Sequence, residues 1–368
     1  MLSDTKSRDQ VRDPTYEEPH ATPPLTVEYW RGDVLESQHE VHAVLVDGAG
    51  ATLASAGSPA LLSTARSALK PFQLWAGLSR GVGETLSFSP EEVAFMCASH
   101  NGEPKHVALC EALLKKLGRE VSALECGSHA PYHAPSAETV LRQGGAFTPA
   151  HNNCSGKHCG ILAFAEHLEA THSSYLGADH PTQVAIFESV RALLQIERPL
   201  SFGVDGCSLP TPALQLDELA RLFSSLASAR TQPGGAHDPA LERIFQAMNQ
   251  APDLVAGTGR FDTEMMRAYP GQVVSKVGGE AIRGLALRSS SGACYGVALK
   301  VRDGAMRALH PATLAFLARY GMISFDRLPA PLRAFEHAPE QNWRGRTVTT
   351  MRVATSGSAS AGEYAQKR

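Results

Sequence analysis

Lysine is scarce in this chain. Only nine of its 34 basic residues are lysine, at positions 6, 70, 105, 115, 116, 157, 276, 300 and 367, so a lysine inside a motif is an uncommon event. An excess of one charge is also missing. The 34 basic and 37 acidic residues leave a net charge of −3 over 368 residues, which removes the electrostatic footprint of a nucleic-acid or anionic-membrane binder. No apolar run approaches the length of a membrane span, and residues 1–24, with Asp, Glu, Arg and Pro throughout, lack the apolar core of a signal peptide. The seven cysteines, at 97, 110, 126, 154, 159, 207 and 294, are odd in number and share no repeated spacing. That argues against a disulfide framework and for reduced thiols in a cytoplasm. What remains is an ordinary globular composition, 43% hydrophobic and 19% charged, which excludes collagen-like, coiled-coil and wholly disordered chains.

Residues 1–24 and 355–368 read as mobile tails around a body at 25–354 with no internal linker. Leu25 to Trp30, Val41 to Val46 and Thr52 to Ala56 are β-rich, with turn residues at Asp47 to Gly50. Helical spacing then dominates: Ser67 to Leu78, Pro90 to Ala98, Lys105 to Leu117, Ser155 to Leu168, Pro181 to Leu194, Leu216 to Leu226 and Pro239 to Asn249. Strands return at Gln272 to Val277, Ile282 to Leu287 and Cys294 to Val301, before a helix from Pro311 to Tyr320. The expected class is α+β, with an antiparallel sheet built from both ends of the chain (about 25–60 and 270–354) and a mostly helical middle (about 65–250).

Ser67-Ala68-Leu69-Lys70 stands where a helix begins and puts an amine one turn from a hydroxyl. A neutral lysine there could activate the serine. Alone, the spacing equally describes a Ser N-cap before a solvated lysine. Order adds weight, because Ser99-His100-Asn101 follows in a polar break between helices and Lys276-Val277-Gly278 ends a late strand. With His100 for Asp and Val277 for Thr, the three reproduce the S-x-x-K, S-D-N and K-T-G set of serine acyl-enzymes such as class A β-lactamases.

A second constellation, His151 to Cys159, contains Cys154, Lys157, His158 and Cys159, with Asp205-Gly206-Cys207 farther on. Two thiolates and a third donor suit zinc, and ligand chemistry alone favours His158 or His151 as that donor. The bland alternative is a set of small buried cysteines.

Taken together, Arg66 to Pro71, Cys97 to Glu103, His151 to Gly160, Gly203 to Cys207 and Ser275 to Gly278 resemble the asparaginase II family, the Rhizobium-type L-asparaginases, from about Leu25 to Val353. The resemblance implies a fold like serine β-lactamases and glutaminases, a homodimer, and hydrolysis of L-asparagine to aspartate and ammonia. It implies two tandems, Ser67 with Lys70 and Ser99 with Lys276, and a neighbouring zinc site of Cys154, Lys157 and Cys207 in place of a histidine donor. Arg66, Asn101, Asp205 and Gly278 are the expected substrate-side residues, with His100 and Asn101 supporting Ser99. The expected chemistry is attack by Ser67, with neutral Lys70 taking its proton. A glutaminase or another serine-lysine amidohydrolase is the alternative on the same scaffold, and a non-enzymatic zinc protein would leave Ser67, Lys70, Ser99 and Lys276 without a role.

Overall fold

The structure, a computed structural model, describes residues 9–15, 20–170, 175–230, 237–336 and 340–355. The strands are β1 His20–Thr22, β2 Leu25–Arg31, β3 Val34–Asp47, β4 Thr52–Ala56, β5 Leu62–Thr64, β6 Phe202–Val204, β7 Pro210–Gln215, β8 Val273–Gly278, β9 Ile282–Arg288, β10 Cys294–Val301 and β11 Thr350–Thr355. The helices of the first half are α1 Lys70–Leu78, α2 Val82–Leu86, α3 Pro90–Met96, α4 Pro104–Lys116, α5 Ala134–Arg142, α6 Ser155–His167 and α7 Pro181–Leu194. Those of the second half are α8 Leu216–Ala227, α9 Pro239–Gln250, α10 Pro252–Val255, α11 Phe261–Ala268, α12 Met306–Arg319 and α13 Ala330–Glu336.

The main sheet runs β1-β4-β3-β10-β9-β8, with β2 on β3 and β11 on β2, so both ends of the chain build it as expected. It is mixed, because β1 lies parallel to β4 while the other pairs are antiparallel. Alternation along each strand divides its side chains between two cores. In β10, Val297, Leu299 and Val301 join the core with α11 and α12, while Ala298 faces the larger helical core. In β3, Val44 and Val46 take the helical side and Ala43 and Leu45 the other. Helix α8 lies directly on the sheet at Gly296, where a Cβ would come within 1.9 Å of Ala220 O. Only glycine permits that approach.

Several details differ from the expectations. The helical middle also holds a small sheet, β5-β7-β6, and the helices α5 and α11. Proline in β7 and glycine in β6 hid its strand pattern. Helix α12 starts at Met306 and carries Pro311 inside it. The Arg307 carbonyl that Pro311 cannot serve accepts instead from Tyr29 Oη at 3.1 Å. Parts of the expected N-terminal tail are packed: Val11 is fully buried, and Arg12 N–H donates to Met322 O at 3.0 Å. Residues 1–8 and 16–19 of that tail, and 356–368 of the C-terminal one, lie outside the described residues. No described helix is long and apolar enough to cross a membrane.

Candidate active site

The turn from β5 into α1 brings the first serine to the sheet. Ala65 N–H donates to Pro212 O at 2.9 Å and Arg66 N–H to Thr211 Oγ1 at 3.0 Å, which stitches the turn to β7. Arg66 has a φ of 47°, a left-handed value that costs a non-glycine residue local strain. The chain then forms a short 3₁₀ turn, Arg66–Leu69, before α1 begins at Lys70. Gly278, ending β8, closes on this turn: a Cβ there would stand 3.1 Å from Ala65 O and 3.2 Å from Ala68 N. Ser67 is thus held between two sheets.

Lys70 does not give its amine to Ser67. Its fully buried Nζ donates to Ala98 O, to Ser99 Oγ at 2.9 Å and to Cys154 Sγ at 3.3 Å. Asn153 O, at 3.4 Å, is a fourth acceptor. Burial lowers its proton affinity and the Cys154 sulfur opposes that. The expected Ser67–Lys70 hydrogen bond is absent, and the Lys70 amine, with its proton affinity below the ordinary lysine value, contacts Ser99 instead.

Lys276 reaches the same hydroxyl from β8. Its Nζ lies 2.8 Å from Ser99 Oγ and 2.8 Å from Val277 O. The amine donates to both, and in its neutral form its lone pair can instead take the Ser99 proton. Burial first, then the charge of Lys70, bring Lys276 from 10.5 down to about 7. Ser99 Oγ consequently stands between a donor and an acceptor of protons.

The side chains of Asn101 and His100 hydrogen-bond to the surrounding loops rather than to the Ser99 hydroxyl. The Asn101 amide donates to Thr258 O at 3.1 Å and Glu103 Oε1 at 3.3 Å, and its oxygen accepts from Arg260 at 2.9 Å. His100 bonds Ser155 Oγ at 2.9 Å, accepts from Gly102 N–H and stacks on Phe95 and His106. Arg66 Nε pairs with Asp205 Oδ1 at 2.7 Å beside the Ser67 turn. Burial would raise the Asp205 carboxyl, but Lys157 and Arg66 hold it below the usual carboxylate range.

Cys154 caps α6, Lys157 follows one turn later, and Cys207 enters from the loop after β6. Lys157 Nζ donates to Cys207 Sγ at 2.8 Å. A hydrogen bond from Cys207, then the charges of Lys70 and Lys157, hold Cys154 well below the usual thiol range despite burial. Burial opposes the Lys157 charge, yet Cys154 and Cys207 raise its proton affinity above the ordinary value. Neither histidine weighed as a donor forms a metal-sized group with them among the described residues; His158 Nδ1 bonds Tyr175 Oη at 2.8 Å, its Nε2 buried without a partner, and His151 Nδ1 accepts from Thr148 N–H at 3.0 Å. Among the described residues no group of three His, Cys, Asp or Glu side chains suits a metal, which leaves the Lys157 amine as the nitrogen beside the sulfurs. Two sulfurs and one amine fit zinc once Lys157 and the thiols release their protons.

Glu103, Thr258 and Arg260, which hold Asn101, and Asp262, behind Lys276, were not foreseen. The one available signal for Asp262 was a carboxylate in the first turn of an otherwise apolar-faced helix.

A family model described as L-asparaginase II matches residues 27–353. Among solved structures, a class A β-lactamase from Bacteroides cellulosilyticus DSM 14838 is 15% identical, with 80% of this chain and 93% of that chain covered and a TM-score of 0.38. A Bacillus glutaminase is 14% identical, with 75% and 91% covered and a TM-score of 0.35. No curated protein matches the chain.

Proposed function

Since the chain belongs to the L-asparaginase II family of hydrolases, we propose that it hydrolyses L-asparagine to L-aspartate and ammonia through an ester on Ser67. The observation that supports a serine-lysine amidohydrolase is the Ser99 hydroxyl clamped by two buried lysines, at 2.9 Å from Lys70 and 2.8 Å from Lys276, while the choice of Ser67 as nucleophile rests on its motif at the start of α1. Such a clamp has no purpose in a merely structural loop, where burying two amines costs stability.

Ser67 Oγ attacks the side-chain amide carbon, and its proton passes through the Ser99 hydroxyl to neutral Lys276. Backbone N–H groups at Ser67 and near Gly278 hold the oxyanion, with the Lys70 ammonium adding positive charge. Lys276 returns the proton through Ser99 to the leaving nitrogen, and ammonia departs. Water then attacks the aspartyl ester, losing its proton along the same path, and aspartate leaves. The Arg66–Asp205 pair offers one charge of each sign, the complement of the zwitterionic end of asparagine. Asn101 keeps the Ser99 loop in register. A homodimer in the cytoplasm is the proposed setting.

A zinc ion held by Cys154, Lys157 and Cys207 would, when bound, supply Lewis-acidic positive charge next to the substrate. With a nucleophile and a base already present, its role is in binding. Chelation is expected to raise KM several-fold while kcat stays close to that of the untreated protein. Complete loss of turnover, reversed by zinc, would instead identify a metalloamidase.

Ammonia release from L-asparagine and L-glutamine in parallel tests the substrate. Asparagine is expected to lead in kcat/KM by about tenfold or more, since one extra methylene displaces the amide. Equal rates would favour the glutaminase reading. A second mechanism, attack by Ser99 itself, is favoured by both lysines touching its Oγ.

A further inference from the structure

Lys276 is gripped through its two neighbours by one carboxylate. Ser275 Oγ donates to Asp262 Oδ1 at 2.7 Å, and Val277 N–H donates to Oδ2 at 2.8 Å. Alternation along β8 puts Ser275 and Val277 on one face and Lys276 on the other, so Asp262 clamps the strand from behind the amine. Arg283 of β9, fully buried, lies 3.3 Å from Asp262 Oδ1. It is held in turn by Thr313 Oγ1 and His310 Nδ1, each at 3.1 Å, with its guanidinium 3.9 Å above the Phe261 ring centre. A carboxylate and a guanidinium are thus immobilised behind the base, in a region where water cannot screen them.

We propose that Asp262 and Arg283 are positioning residues that set the proton affinity of Lys276, the carboxylate raising it and the guanidinium weakening the carboxylate's effect. This rests on the reading of Lys276 as the amine that accepts the proton. The other charged or titratable groups acting on Lys276 are Lys70 of α1, Arg260 before α11, Cys154 at the start of α6 and Cys97 after α3. Lys70 and Arg260 lower its proton affinity, whereas Asp262 and Cys154 raise it. Burial would raise the Asp262 carboxyl, but Arg283 and then Lys276 keep it below the ordinary carboxylate range. The carboxylate is therefore a standing negative charge at the pH of turnover.

The pH dependence of kcat on L-asparagine reads this directly, because the acidic limb follows deprotonation of Lys276. Asp262→Asn removes the negative charge and is expected to move that limb down by about one pH unit. Arg283→Gln frees the carboxylate from its counter-charge and is expected to move the limb up. Ser275→Ala removes a hydrogen bond but no charge, so its limb should stay in place. Thermal unfolding checks that each variant is folded. If Arg283→Gln does not fold, the downward shift of Asp262→Asn against the unmoved limb of Ser275→Ala carries the test. Opposite shifts support the assignment, and limbs that stay put or move the same way in folded variants overturn it. Lys276→Met separates the two levels: an active Lys276→Met enzyme removes the underlying base assignment, whereas an inactive one with unmoved Asp262 and Arg283 limbs removes only this inference.

Discussion

Lys276→Arg is expected to lower kcat for L-asparagine by about a thousandfold, the size of effect that loss of a general base produces. Guanidinium stays protonated, so an arginine can keep the positive charge but cannot accept a proton from Ser99. Lys276→Met should be as inactive and at least as stable near neutral pH. The reason lies in proton linkage. Burial takes Lys276 from 10.5 unfolded to about 7 folded, so between those pH values the unfolded chain binds more protons and stability rises with pH. The buried amine is a stability cost that eases from about pH 7 towards 10.5, and methionine does not carry it. Steady-state kinetics and denaturant unfolding at pH 7, on the same preparations, check both halves.

Ser67→Ala is expected to lose activity by about ten-thousandfold or more, because no ester can form. Its fold and stability should match the wild type. Lys70 and Lys276 find their partners in Ala98, Ser99, Asn153, Cys154 and Val277, so removing the Ser67 hydroxyl breaks none of the bonds that hold the buried amines. Ser99→Ala is a less clean probe. It takes a partner from both lysines and leaves two buried amines facing each other. Kinetics with circular dichroism distinguishes the cases: a chemical loss with an unchanged melting curve for Ser67→Ala, and a loss of both for Ser99→Ala.

Much of this was legible in the residues themselves. Lys70 and Lys276 meet at the Ser99 hydroxyl in the order the motifs implied, with Ser67 on the turn that Gly278 closes, and the scarcity of lysine had singled out Lys70, Lys157 and Lys276. The partner of Lys70 was not legible. An i, i+3 spacing puts two side chains on one face only within regular helix, where long side chains lean back towards the N-terminus. Here Ser67 belongs to a 3₁₀ turn and Lys70 opens the α-helix, so the amine turns to the Ala98 carbonyl and Ser99. Nor could local pattern show β11, whose partner β2 is more than three hundred residues away in the chain. Asp262 was hidden for a similar reason: its partners come from β8 and β9, and only the folded sheet sets Ser275, Val277 and Arg283 around it. The lysine donor of the proposed zinc site came from family resemblance, whereas ligand chemistry by itself pointed to His158 and His151, which form no metal-sized group with the cysteines among the described residues.

Which serine carries the ester decides the central claim. Turnover of L-asparagine quenched in acid, followed by peptide mapping by mass spectrometry, locates the covalent aspartyl group. The expected result is the aspartyl mass on the peptide containing Ser67, with none in Ser67→Ala. The same mass on Ser99, with Ser67 unmodified, would contradict it.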